Sequence, residues 1–152
     1  MINETLKLAG QLSIVLRDKD GNIKDQREVK NLVVNSGLAY IASRMVGTTK
    51  GVMSHMALGS GTTAAAAGQT DLVTMLGARE ALDSTTISGS NNEKVVYVSS
   101  FEANDATGAV TEAGIFNAAS AGDMLCRTVF PVVNKAADDS MTVTWTITLS
   151  AV

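Results

Sequence analysis

Met141-Thr-Val-Thr-Trp-Thr-Ile-Thr-Leu149 decides the fold class. Apolar and polar residues alternate through it without interruption. Successive side chains of a β-strand point to opposite faces. Met141, Val143, Trp145, Ile147 and Leu149 therefore share one face, and Thr142, Thr144, Thr146 and Thr148 the other. One face belongs on a core; the other meets water or another protein.

The same period recurs outward from this stretch. Leu6, Leu8, Leu12, Ile14 and Leu16 alternate in a strand from Leu6 to Arg17. Asp18-Lys-Asp-Gly-Asn22 is a hairpin turn, since Asp-Gly is a strong short-range hairpin signal. Ile23 to Val34 is the returning strand. The period then changes. Leu38, Ile41, Ala42 and Met45 stand at i, i+3, i+4 and i+7, one face of a helix predicted over about residues 36–46. Asn35 or Ser36 is the expected cap at its start and Gly47 at its end. Met53–Leu58, Arg79–Ser88, Lys94–Ala103, Val110–Phe116 and Met124–Val133 read as further strands, with one helical turn expected within Gln69–Gly77. Pro131 has no amide donor and marks an edge or a bulge. About eight short strands with turns every 8–12 residues predict an all-β fold, a β-sandwich or jelly roll with one short helix. The whole chain, 1–152, reads as a single domain with an N-terminal arm at 1–5.

The chain has 152 residues, 45% hydrophobic and 18% charged. Charged residues make up about a quarter of a typical soluble domain, so this one is dry. The excess apolar surface is expected to lie against other protein. No stretch reaches the roughly 20 apolar residues that cross a bilayer as a helix, and Met1-Ile-Asn-Glu-Thr lacks the regions of a secretory leader. The net charge is −3, and Asp18, Asp20, Asp25 and Glu28 interleave with the local cluster of basic residues. A phosphate-binding tract is not expected. One cysteine, Cys126, excludes an internal disulfide.

The chemistry-bearing residues are sparse. His55 is the single histidine, with no second His or paired Cys at metal-ligand spacing. Cys126 sits among Met124, Leu125, Val129 and Phe130, with no adjacent base, and reads as a buried hydrophobe. Gly59-Ser60-Gly61 fits neither a nucleophile elbow nor a phosphate loop. Asp18, Asp20 and Asn22 begin like a calcium loop, but Val29 falls where the bidentate Glu belongs. Glu102 with Asp105, and Asp138 with Asp139, fall in turns. Glu112 differs, because it lies inside the apolar run Val110-Thr-Glu-Ala-Gly-Ile-Phe116. A carboxylate there needs a partner. Arg127 on the next strand is the expected one, with Arg79 as the alternative. No catalytic residue, metal site or cofactor is expected, and the chain does not read as an enzyme.

Three segments together resemble a family of small virion structural proteins of tailed bacteriophages. They are Leu32-Val-Val-Asn-Ser-Gly-Leu-Ala-Tyr-Ile-Ala-Ser-Arg44, Met53-Ser-His-Met-Ala-Leu-Gly-Ser-Gly-Thr-Thr63, and Val110-Thr-Glu-Ala-Gly-Ile-Phe-Asn-Ala118 with Met124-Leu-Cys-Arg-Thr-Val-Phe130. The resemblance runs over about residues 6 to 150. The Thr-Glu-x-Gly-Ile-Phe element is also similar to one in the attachment domains of tail fibres. The resemblance implies a structural protein of the virion, assembled in the bacterial cytoplasm. A capsid decoration (cement) protein on the major capsid protein is the first expectation. A tail, baseplate or fibre-adaptor subunit is the alternative. It implies protein partners and a homo-oligomer, with a trimer as the first guess. Nucleic acid, membrane and small-molecule substrate are not expected. The expected subunit contacts are Met1, Ile2 and Asn3 of the arm, Gly59, Ser60, Gly61, Thr62 and Thr63 of the small-residue loop, and Thr142 and Thr144 of the threonine face.

Overall fold

In a computed structural model, which describes residues 4–47 and 50–151, the alternating C-terminal stretch lies inside a strongly curled sheet. The elements are β1 (Leu6–Arg17), β2 (Ile23–Val33), α1 (Asn35–Met45), β3 (His55–Gly59), β4 (Glu80–Ala81), β5 (Ser84–Ser88), β6 (Lys94–Phe101), β7 (Gly108–Phe116), β8 (Met124–Lys135) and β9 (Ser140–Ala151). Among the described residues all nine strands join one sheet, in the order β4-β3-β7-β8-β2-β1-β9-β6-β5. Every pairing is antiparallel. The fold is all-β with one short helix.

Two strands make the sheet curl. β2 pairs with β1 from Arg17↔Ile23 to Gly10↔Asn31, then leaves it and pairs with β8 at Leu32↔Arg127 and Val33↔Cys126. On the opposite side, the segment from Glu80 to Ser88 passes from β3 to β6. Leu82 N donates to Ser54 O at 2.9 Å, and the next amide, Asp83 N, donates to Val98 O at 2.7 Å. This change of partner splits the single strand expected over Arg79–Ser88 into β4 and β5, which makes nine strands instead of eight. The two ends of the sheet are thus consecutive pieces of chain, and its halves face each other across one core. Where β2 and β8 diverge, side chains lace the gap. Arg27 donates to Pro131 O at 3.0 Å and to Val132 O at 3.1 Å. Pro131 sits in a β8 bulge, between Val133, opposite Val110, and Val129, opposite Glu112, where no ladder bond is lost.

The core follows the period-two pattern. Leu12, Ile14 and Leu16 of β1 are buried with Met141, Val143, Trp145 and Ile147 of β9. From the other half come Met56, Leu58, Val110, Ile115, Leu125 and Val133. Trp145 is fully buried, and its indole N–H donates to Asn31 Oδ1 at 3.0 Å. Truncating such a residue costs about 3–5 kcal/mol.

α1 departs from the sequence reading in two respects. The buried positions are Gly37 and Tyr40, whereas Leu38 is 51% and Met45 82% exposed. Of the apolar stripe, Leu38, Ala42 and Met45 face out, and Ile41 packs against the core. The reason is steric: the Gly37 backbone lies directly on the Leu125 carbonyl, where a Cβ would overlap the oxygen. Only the glycine side of the helix approaches β8 this closely. The N-cap is Val34 and not Asn35 or Ser36; no side chain caps the helix, because the Ser36 hydroxyl donates to Met124 O at 2.7 Å instead. Gly47 does follow the helix at φ +68°, its N–H on Arg44 O. Gln69–Gly77 contains no helical turn.

Gly37→Ala tests this seating. Alanine improves helix propensity by about 1 kcal/mol. Overlap with the Leu125 carbonyl costs about 1–3 kcal/mol or more. A net loss, seen as a melting temperature lower by several degrees, is expected. An unchanged or higher melting temperature would show that α1 is not held against β8 this way.

Candidate functional site

β7 and β8 bring two oppositely charged side chains together at the centre of their shared ladder. Gly114 pairs with Arg127 and Glu112 with Val129, so Glu112 and Arg127 lie on the same face, one diagonal step apart. Both side chains are fully buried. Arg127 Nη2 donates to Glu112 Oε2 at 2.7 Å and Nε to the same oxygen at 3.1 Å. Arg79, the alternative partner, is engaged elsewhere. It donates to Ala118 O and Ala121 O and lies 3.5 Å over the Phe116 ring.

The pair's remaining capacity goes to one loop. Glu112 Oε1 accepts from the amides of Gly61 (2.9 Å) and Thr74 (2.7 Å), and Oε2 from that of Val73 (3.0 Å). Arg127 Nη1 donates to Thr63 O and to Gln69 Oε1, each at 2.9 Å. Gln69 passes the hold along by accepting from Ala66 N at 2.9 Å. The loop from Ser60 to Met75 begins and ends side by side: Ser60 N donates to Thr74 O, and Gly59 bridges Met75. This is an Ω-loop wrapped around a carboxylate and a guanidinium. A second small core beneath it, Val34, Ala57, Phe116 and Met124, receives Leu72 as an apolar anchor.

This geometry explains the Gly-Ser-Gly triplet. A Cβ on Gly59 would lie 2.6 Å from Glu112 Oε1, and one on Gly61 would overlap the same oxygen. Both glycines are needed for backbone to reach the carboxylate. Both are buried, so the expectation that they touch another subunit is corrected. Thr62 and Thr63 are exposed, and Ser60 is half-buried. The outside of the loop also exposes Ala64, Ala66, Val73 (52%) and Met75 (45%), with Asp71 its one charge. Thr142 and Thr144 are half-buried on the outer face of β9. Met1, Ile2 and Asn3 lie outside the described residues.

Burial by itself would raise the Glu112 carboxyl. The Thr74 amide, the Arg127 guanidinium and the amides of Val73 and Gly61 outweigh it and hold the group below its ordinary value. The site is therefore a charged pair whose bonds beyond the pair itself go to loop backbone and to the Gln69 side chain. Cys126 is buried, and burial pushes its thiol well above the ordinary value, away from nucleophilic use. His55 is half-buried and meets the Ser54 hydroxyl at 2.8 Å. The Asp18 carboxylate closes its own turn, accepting from Asp20 N and Asn22 N at 2.9 Å. Asp105 accepts from Glu102 N, and Asp139 from Lys24 and Ala136 N. Among the described residues no group of three His, Cys, Asp or Glu side chains is placed to hold a metal ion. No helix among them is long and apolar enough to cross a membrane.

Glu112→Gln and Arg127→Met each leave a buried partner uncompensated, which costs about 3–5 kcal/mol. In a double-mutant cycle by chemical denaturation, the double variant should lose at least about 1 kcal/mol less than the sum. Additive losses would contradict the pairing. The depressed carboxyl also fixes a pH dependence. Its stabilisation is complete above the unfolded carboxyl range, about pH 4.3, and disappears as pH falls through the lower folded value. Stability of the native chain should drop across that acid window, and Glu112→Gln should flatten the drop. Parallel pH curves would contradict the assignment.

Comparison with protein-family models, with curated proteins and with solved structures finds no match for this chain.

Proposed function

We propose that this protein is a structural subunit of a tailed-bacteriophage virion, a decoration protein that binds the head shell and stabilises it by protein–protein contact. The resemblance of the Gly59–Thr63 and Val110–Phe116 segments to that family supports it. The observation that carries it is the Ω-loop. The fold's buried ion pair is devoted to fixing the backbone of Ser60–Met75, and the outside of that loop is exposed, small and nearly uncharged.

Those properties suit a contact surface. A loop ordered before binding does not lose its conformational freedom on docking, so more of the contact energy appears as affinity. Small side chains such as Thr62 and Ala64 let a neighbouring backbone approach closely. Val73 and Met75 supply apolar area at the loop's base. Repetition over the symmetric copies of a shell multiplies a modest affinity per site. No catalytic residue and no cofactor take part.

Quantitative mass spectrometry of purified virions, separated into heads and tails, tests the role. Hundreds of copies in the head fraction are expected. About a dozen copies or fewer in the tail fraction would move the protein to a tail, baseplate or fibre-adaptor position. Its absence from virions would end the virion assignment. Met75→Glu tests the loop: it should lower head occupancy severalfold without changing the melting temperature, and full occupancy would remove the loop from the interface.

A further inference from the structure

We propose that a second copy of this chain seats on the apolar groove between α1 and the beginning of β1. The inference deepens the assembly role above and rests on it. Leu6 and Leu8 continue the inward-facing line of β1 beyond Leu12, yet Leu6 is 62% exposed. The inner face of β1 overhangs its own core at this end. α1 forms the other wall, and it turns Leu38 and Met45 outward because Gly37 occupies the β8 side. Val46, the next residue after Met45, is 78% exposed. Leu32, 38% exposed, lies between the walls.

Chemistry and area identify the occupant. Among the described residues Lys7 is the one charged residue lining the groove and no carboxylate lines it, so an oppositely charged partner has little to recognise there. Large Leu38 and Met45 and small Ala42 line it together, and an isologous interface needs a self-complementary patch of this kind. From their fractional exposures, Leu6, Leu32, Leu38, Met45 and Val46 present about 500–600 Å² of surface, at the upper end for the largest patch on a monomer. Two such patches face to face bury about 1,100 Å², close to the lower limit for a specific interface. That suits a pairing of micromolar strength that gains from further contacts in an assembly. Leu32 also lines the shallow groove that runs past Thr62 and Ala64, so the pairing surface is continuous with the exposed Ω-loop.

Sedimentation velocity of the full chain at about 100 µM, where a micromolar pairing is populated, tests the inference. The wild-type mass should exceed the monomer's 15.8 kDa. Leu38→Glu and Met45→Glu should each return it to the monomer value with unchanged melting temperature. Ile87→Glu, at an exposed apolar position on β5, should leave the oligomer intact. A wild-type monomer, or an oligomer that survives both α1 variants, would overturn the inference. So would an oligomer dissolved by Ile87→Glu alone. A monomer whose binding to heads is abolished by Leu38→Glu would also overturn it, because the groove would then belong to the shell, while the decoration role would stand. An oligomer dissolved by the α1 variants, in a protein absent from virions, would support the groove pairing and end the virion role.

Discussion

The ion pair between Glu112 and Arg127 is the constraint on which the rest of this structure depends. Two charges cannot be removed from water unless their bonding capacity is filled. Glu112 fills it with three backbone amides and a guanidinium, and Arg127 with a carbonyl and an amide oxygen. Those partners come from positions 61 to 74, which gives a loop without regular secondary structure one defined path. A hydrophobic pair in place of these two residues could serve the core equally well, but it could not direct hydrogen bonds at the loop. The charge is retained here for shape.

The rest of the fold supports that arrangement. β7 and β8, which carry the pair, lie between β3 and β2 in the sheet. Because β2 on one side and the β4–β5 segment on the other cross between the two halves, the sheet encloses a single core, and Trp145 fills its β9 side. The molecule's outer surface is then divided among three kinds of face. There is a threonine-rich sheet face, an uncharged Ω-loop, and an apolar groove beside α1. The threonine face holds a shallow depression lined by Lys7, Glu28, Lys30 and Lys94, whereas the other two faces present surface that water alone does not favour.

Much of the architecture was legible in the residues because it is governed by period two. The strand from Leu6 to Arg17 and the C-terminal ladder are recovered almost to the residue, since each pairs along its length with one neighbour of matching alternation. The Glu112–Arg127 contact was legible for another reason: a lone carboxylate in an apolar strand demands a partner, and few arginines lie near. The face of α1 was not legible. Leu38, Ile41, Ala42 and Met45 form a good amphipathic stripe, but the close approach at Gly37 decides which side meets β8, and a glycine gives no apolar signal. The Ω-loop is hidden in the sequence for the same kind of reason. Gly59 and Gly61 look like free, accessible backbone; their lack of side chains instead makes room for Glu112. The useful signal was the combination of a Gly-x-Gly with a stranded carboxylate elsewhere in the chain.

The carboxylate of Glu112 orders the loop from within, and amide hydrogen exchange measured residue by residue puts this to the test. In the native chain the amides of Gly61, Val73 and Thr74 should be as protected as those in the β1–β9 ladder. In Glu112→Gln these three should exchange far faster while the ladder stays protected. Rapid exchange at Gly61, Val73 and Thr74 in the native chain would contradict the claim.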